Sequence, residues 1–428
     1  MPAAPRWWRA GLLLVVGVAI AARVVFAVVL APDLPTPGDA TLYRGTAQHL
    51  ANGDGFVYPA PGGGPPQPSA EHTPLFPLVL AGLDIMGLDS VRDQGIALAV
   101  LSGAGVALVA FLGRRVAGSA AGLIAASLAA VHPMWTQSAG LVLSESVYLV
   151  VVPLVLLAAL DLRARPTAKA AVILGLAIGA AGLTRPEGLG LLAVVAAPAV
   201  LLGSIRSLAA WRTLGLVALV TLLTVSPWVV RNRIDLDAWV LSTNSGKTLL
   251  GSNCAETYAG PALGGFSYTC QFGAAAFLVE QGPPEGEWWD SNEFDDELGE
   301  VGRRFIDDHR RDVPKVVVAR VSRMWGLAHA ADQRRFDGEE GRHPGLQHIG
   351  QWLHLVVLGA AVLGSFRLLV SRPQRPAAIV LLGPILLVTA TCLVIYGGTR
   401  MRTGAEPSLA VLAAVPVASI AGSRGPWQ

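Results

Sequence analysis

The chain alternates long apolar runs with short polar breaks. Runs near twenty residues are long enough to cross a hydrocarbon core of about 30 Å as helices. Ten runs of that kind are predicted, at 10–30, 94–112, 117–133, 141–160, 168–184, 187–204, 212–230, 349–366, 376–396 and 405–421. The stretch 73–87 is apolar but short and reads as a re-entrant or interfacial helix. Arg6 and Arg9 ahead of the first run resemble the start of a signal peptide. That run is long for a signal core and further runs follow, so it reads as an uncleaved first helix.

Two polar segments are too long to be simple connections. Residues 31–93 form a first outer loop with a Pro/Gly-rich stretch, YPAPGGGPPQPSAEHTP, whose composition favours turns and extended chain. Residues 231–347 are long enough for a small extracytoplasmic domain. This domain carries an acidic stretch, 285–300, and then an amphipathic segment, 301–325, with Phe305, Val313, Val316 and Val317 as a candidate apolar stripe. Pro314 divides that segment into two helices. The domain reading is therefore a membrane module over 1–230, an outer domain over 231–347 and C-terminal membrane helices over 348–428.

Composition agrees. Of 428 residues, 53% are hydrophobic and 14% charged, against about 25% charged in soluble domains, and mean hydropathy is +0.52. A soluble globular fold is excluded, and an all-α polytopic membrane protein is expected. The net charge of +2 decides nothing, but its distribution does. Arg6 and Arg9, Arg114 and Arg115, Arg163 with Arg165 and Lys169, Arg206 with Arg212, Arg367 with Arg372 and Arg375, and Arg424 all fall on one side of the ten-span arrangement. The positive-inside rule makes that side, with both termini, cytoplasmic.

The polar groups that interrupt the apolar pattern gather on the opposite side. They are Asp39, Tyr43, Glu71 and His72 in the first outer loop, and His132, Trp135, Ser144 and Glu145 around the start of the fourth span. The turn TRPE carries Arg185, SPWVVRN carries Arg231, and YGGTRMRTGAEP carries Arg400, Arg402 and Glu406. Charge at a membrane edge is costly and marks function more often than scaffold. Arg23, inside the first span, is either functional or a snorkelling side chain. Arginine forks match phosphate oxygens, and a carboxylate can take a proton from an attacking hydroxyl. The set suits a substrate with an apolar tail and an anionic head. A hard divalent cation on Asp39, Glu71 and His72 is compatible with their chemistry. No Walker loop, dinucleotide glycine fingerprint or zinc-like Cys/His spacing is present. Cys254 and Cys270 share the outer domain, where both a disulfide and free thiols remain open; Cys392 reads as core filling.

Taken in order, GDATLY, EHTPLFPLVLAGL, LVLSESVYLVV, GLTRPEGLGLL, SPWVVRNRIDLDAWVLSTNSG, FIDDHRRDVPKVVVARVSRMWG and YGGTRMRTGAEPSLAVLAA resemble the motifs of the GT-C superfamily of membrane glycosyltransferases. The nearest likeness is to the family 39 or ArnT-like group, bacterial relatives of dolichyl-phosphate-mannose-protein mannosyltransferases. The resemblance spans nearly the whole chain and implies a GT-C-like fold of about ten transmembrane helices. It implies transfer of a hexosyl or pentosyl group, with inversion, from a polyprenyl-phosphate donor to a protein, glycan or lipid hydroxyl at the outer face of the cytoplasmic membrane. On this reading Asp39 is the catalytic base and Glu145 shapes the site. Arg400 and Arg402 hold the donor phosphate, with Arg185 and Arg231 as further candidates, and Tyr43, Glu71 and His72 line the substrate site. The family often has a second carboxylate directly after the first, where this chain has Ala40. A lipid-linked-sugar flippase and a non-catalytic assembly partner are the alternative functions, and nucleic acid is not an expected partner.

Overall fold

A computed structural model of the chain describes residues 5–284 and 286–420. Glu285, at the head of the expected acidic stretch, and Arg424 lie outside the described residues. Among those described, the strands are Val57–Pro59 and Pro66–Pro68, an antiparallel pair with Tyr58 opposite Gln67. They form from the Pro/Gly-rich stretch of the first outer loop. Everything else regular is helical.

Among the described residues, seven helices are long and apolar enough to cross a membrane: Arg6–Asp33, Val91–Val131, Glu145–Ala164, Leu208–Asp235, Pro344–Val370, Arg375–Val394 and Thr399–Ile420. Leu75–Ile85, Ala168–Thr184 and Pro186–Leu201 are apolar but shorter. Leu13, Leu14, Leu222, Leu363 and Phe366 are exposed on the long helices, as a lipid-facing surface requires. The protein is an all-α, multi-pass membrane protein.

The sequence pattern and the helices differ in two informative places. Val91–Val131 has 41 residues, about 60 Å if straight and twice the hydrocarbon core. It is not straight. Ala117 and Gly118 leave helical geometry, with φ +89° at Gly118. The two limbs then pack so closely that a Cβ on Gly122 would lie 2.5 Å from the Ala110 carbonyl oxygen. These limbs are the expected spans 94–112 and 117–133. The expected span 141–160 starts instead at Glu145, because 141–144 is a turn with Val142 at φ +53°. A β-branched residue in the left-handed region costs about 1–3 kcal/mol and persists only where packing over-determines it; Val142 is fully buried.

Arg23 is buried and fully engaged. Its Nε donates to Ser102 Oγ at 2.8 Å, Nη1 to the carbonyls of Ala19 (2.9 Å) and Ala130 (3.1 Å), and Nη2 to the Ala129 carbonyl (3.0 Å). It clamps the first helix to both limbs of Val91–Val131 and has no part in a cavity described below.

The outer segment packs around Leu250, Leu278, Trp289, Phe294 and Leu298. The expected amphipathic segment is divided into Ser291–Asp308 and Val313–Met324, with Pro314 in the first turn of the second helix, where its missing N–H costs nothing. Val316 is buried, while Phe305, Val313 and Val317 are half-buried. Arg320 ties this segment to the membrane part. Its Nη1 donates to the Leu393 and Val394 carbonyls, both at 3.1 Å, and its Nη2 to the Ser252 carbonyl and Asn253 Oδ1, both at 2.8 Å. Next to Asn253, Cys254 forms a disulfide with Cys270, closing a separation of 16 residues.

In the chain-entropy picture a loop of that size contributes about 3 kcal/mol. Replacing both cysteines with serine, or reducing the protein, is expected to lower the thermal midpoint in detergent. Equal midpoints with and without reductant would show that the disulfide adds no stability.

Candidate active site

Asp39 lies in the first turn of the helix Gly38–Asn52, entered through Pro35 and Pro37 and ended by Gly53 at φ +89°. Prolines pre-set the entry, the left-handed glycine closes the end, and an acid in the first turn is favoured by the helix dipole. The first outer loop thus folds back at once, and Asp39 is fixed on a helix rather than on mobile chain. Leu75–Ile85 packs against the same helix, with Phe76 edge-on to Tyr43 at 4.8 Å and the His72 ring 4.3 Å from Tyr43.

Arg400 approaches from the opposite end of the sequence, in the 3-10 turn Thr399–Ala405. Its Nη2 lies 2.6 Å from Asp39 Oδ2, its Nε donates to Glu145 Oε1, and its Nη1 is 3.6 Å from Glu340 Oε1. Arg185, which caps the C-terminus of Ala168–Thr184, places Nη1 3.2 Å from the same Glu145 oxygen and Nε 2.6 Å from Glu187 Oε1. Asp39, Arg400, Glu145, Arg185 and Glu187 form one chain of alternating charge, with Glu340 as a third acid on Arg400.

These groups border a cleft with two lobes. One, of about 410 Å³, is lined by Asp39, Tyr43, His72, Ser144, Arg185 and Arg400. The other, of about 860 Å³, shares Asp39, Glu71, Tyr396 and Arg400 and extends over Tyr58, Phe266, Tyr268 and Phe272 of the outer loops. Tyr268 stacks on Phe272 at 5.8 Å and on Phe336 at 5.7 Å, giving the larger lobe an aromatic wall. Asp39 and Arg400 stand where the lobes meet.

Burial alone would raise the Asp39 carboxyl, but the Arg400 guanidinium outweighs it and holds it at about 2. Burial lowers His72 and the Asp39 charge opposes this only in part, so its ring, 3.8 Å from Asp39 Oδ1, is neutral near pH 7. Burial and the nearby Asp39 charge raise Tyr43, whose hydroxyl donates to Ser144 Oγ at 3.1 Å. Burial also raises Glu340, despite the opposing charge of Arg400.

The other expected residues are placed as follows. Glu145 is completely buried behind Arg400 and Arg185 and reaches the cleft through them. Glu71 faces the cleft but is paired with Lys247, whose own backbone N–H is fixed by Asp295 Oδ1 at 2.8 Å. Asp39, Glu71 and His72 are not among the described ligand groups gathered closely enough to hold one ion; His132, His354 and Glu406 are. Arg231 lies away from the cleft. It donates to the Ser69 and Phe56 carbonyls at 3.0 and 2.6 Å and pairs with Asp235 at 2.8 Å, which fastens the two ends of the hairpin. Arg402 lines a separate small cavity and bonds Glu406 at 2.6 Å. At three residues per 3-10 turn, positions two apart point in different directions, which is why Arg400 and Arg402 diverge.

Glu340, Lys247 and Arg342 are not in the sequence-derived set. Arg342 is 1% exposed, and its guanidinium hydrogen-bonds to no described group and acts on Glu145 through charge alone. The sequence signal for the first and last of these is Gly341 between them. It has φ +80°, and a Cβ there would lie 2.1 Å from the Pro35 carbonyl oxygen. Only glycine lets this loop seat against the segment leading into Asp39.

No protein-family model and no curated protein matches the chain. Among solved structures, the oligosaccharyltransferase AglB from Archaeoglobus fulgidus, in complex with an inhibitory peptide and a dolichol-phosphate, is similar with a TM-score of 0.54 and 14% identity, over 97% of this chain and 50% of that one. The oligosaccharyltransferase of the same organism in complex with Zn and sulfate gives 0.51 and 14%, over 97% and 51%. ArnT from Cupriavidus metallidurans bound to undecaprenyl phosphate gives 0.44 and 14%, over 98% and 79%. The chain spans about half the length of the archaeal proteins it matches. The likeness establishes the fold alone: this chain shares the membrane fold of the archaeal oligosaccharyltransferase.

The Asp39–Arg400 pair has a signed pH dependence. A carboxyl lowered from 3.8 to about 2 adds stability that is complete above the unfolded value and is lost as pH falls through the folded one. The stability advantage of wild type over Asp39→Asn is therefore expected to hold at about pH 5 and to shrink toward about pH 2. Thermal unfolding in detergent across that interval reads it, and a constant difference would refute the pairing.

Proposed function

We propose that the protein is an inverting glycosyltransferase that moves a sugar from a polyprenyl-phosphate donor to a hydroxyl acceptor. The observation that carries this reading is the position of Asp39 and Arg400 at the junction of the two cleft lobes. One is a base and the other an anion receptor, so an acceptor and a phosphate-bearing donor can meet between them. The fold supports it, since AglB, which shares it, is solved in complex with a dolichol-phosphate and an inhibitory peptide. The charged groups also stand at helix ends: Asp39 and Glu145 at N-termini, Arg185 at a C-terminus and Arg400 in a turn. A carrier would instead hold its charges near the membrane midplane.

In this mechanism the acceptor hydroxyl gives its proton to Asp39 as its oxygen bonds to the anomeric carbon. The bond from that carbon to the phosphate oxygen breaks on the opposite face, and its electron pair leaves with the phosphate. The leaving group is a phosphate ester that needs positive charge more than a proton, and Arg400 and Arg185 supply it. Glu145 holds both guanidinium groups in place. The smaller lobe takes the donor's head and the aromatic lobe takes the acceptor. The short connections rich in arginine, such as 114–115 and 163–165, lie at the other helix ends, which supports a site facing outward from the cytoplasmic membrane.

A carboxylate at about 2 is a poor base. The donor phosphate answers this by competing for Arg400. Once Arg400 turns to the phosphate, Asp39 loses its cation and gains basicity, so the base is strengthened only when a donor is bound.

Two outcomes follow. Asp39→Asn is expected to abolish transfer while leaving expression, membrane insertion and donor binding intact; transfer at the wild-type rate would refute the assignment. In the wild type, the acidic limb of kcat, which reports the bound state, is expected at higher pH than the acidic limb of kcat/KM for the donor, which reports the free protein. Coincident limbs would refute the exchange of partners by Arg400.

A further inference from the structure

We infer that His132, His354 and Glu406 form a binding site for a first-row divalent transition cation, apart from the cleft. The three come from distant parts of the chain. His132 follows Val91–Val131, His354 lies in Pro344–Val370, and Glu406 opens the last helix. Their ligand atoms lie within 4.8 Å of one another and all three residues are buried. His132 Nε2 is 3.6 Å from Glu406 Oε2. Neither ring nitrogen of His132 or of His354 has a hydrogen-bond partner, although the residues are only 4% and 1% exposed. Leaving a buried polar group unsatisfied is costly, and here two imidazoles converge without partners on one carboxylate oxygen. A single ion satisfies both rings and that oxygen together.

The surroundings orient these three ligands. Arg402 Nε donates to Glu406 Oε1 at 2.6 Å and its Nη1 to the Met324 carbonyl at 2.9 Å. This holds the carboxylate with Oε2 turned toward the imidazoles. Trp325 stacks on His354 at 6.1 Å with 21° between the planes, and its backbone carbonyl faces the same ring outside hydrogen-bond geometry. The stacked indole restricts rotation of the His354 ring. Beside them lies a cavity of about 30 Å³, lined in part by His132, His354, Gln347 and Asp337. It has room for a water as fourth ligand.

Two imidazoles, one carboxylate and a water make a four-coordinate set suited to Zn²⁺. Mixed nitrogen and oxygen donors also suit Co²⁺ and Ni²⁺ but not Mg²⁺ or Ca²⁺, which take oxygen ligands. Glu406 directly follows the turn that carries Arg400. An ion there pins the end of that turn to two other helices and so positions Arg400 without touching the cleft. The site stands whether or not the protein is a transferase.

The test uses the full-length protein in detergent, stripped with chelator and reloaded with Zn²⁺ alone. One Zn²⁺ per chain is expected by elemental analysis, with a rise in thermal midpoint on loading. Co²⁺ in its place is expected to give visible ligand-field bands. His132→Asn and His354→Asn are each expected to weaken Zn²⁺ binding by roughly tenfold or more, while His72→Asn in the cleft leaves it unchanged. Failure of the stripped wild type to bind Zn²⁺, or binding that is lost with His72 and kept without His354, overturns the proposal. The wild-type stoichiometry and Co²⁺ spectrum decide it even where a variant does not fold.

Discussion

A guanidinium carries five donors and no acceptor and does not give up its charge. Buried at the membrane edge, Arg400 therefore has to be met by anions. It is met by Asp39 from the first outer loop, Glu145 from the head of a membrane helix and Glu340 from the end of the outer segment. Withdrawing one partner of a buried pair leaves an uncompensated charge, which costs about 3–5 kcal/mol. Three remote parts of the chain are thus bound to one side chain, and none can shift without exposing the other two to that cost.

The scaffold holds Arg400 in place by close backbone contact. A Cβ on Gly397 would lie 2.0 Å from the Arg320 carbonyl oxygen, and the Gly397 N–H donates to the Gly264 carbonyl at 2.8 Å. The Arg320 side chain meanwhile holds the end of Arg375–Val394. The strand of chain before Arg400 is gripped from both directions. Gly341 does the same for the acid opposite, seating the 340–342 loop on Pro35. The cleft owes its shape to these approaches as much as to its ion pairs.

Much of this was legible in the sequence because a membrane gives sharp contrast. Asp39, Glu145, Arg185 and Arg400 stand out as charges against apolar runs, and the run lengths place them on one face. Contrast fails elsewhere. Glu340, Arg342 and Lys247 lie in a polar segment where one more charge carries no signal, and only tertiary packing draws them to the cleft. Arg402 has the same sequence context as Arg400 but points elsewhere, because the turn is 3-10 and not extended. Arg231 reads like a ligand for phosphate, yet four backbone and side-chain oxygens already use its donors. His132, His354 and Glu406 show no spacing rule at all, since two stand at the ends of different helices and His354 lies inside a third.

Arg23 gives the order of synthesis a physical meaning. Its helix enters the bilayer early, but two of its acceptors, the carbonyls of Ala129 and Ala130, lie 106 and 107 residues downstream. At roughly 5–20 residues per second the ribosome takes about 5–20 s to supply them. For that interval the guanidinium lacks two of its four acceptors, and only the Ala19 carbonyl of its own helix is in place from the start. The first helix must stay near the interface or be sheltered by another protein until the returning limb of Val91–Val131 arrives.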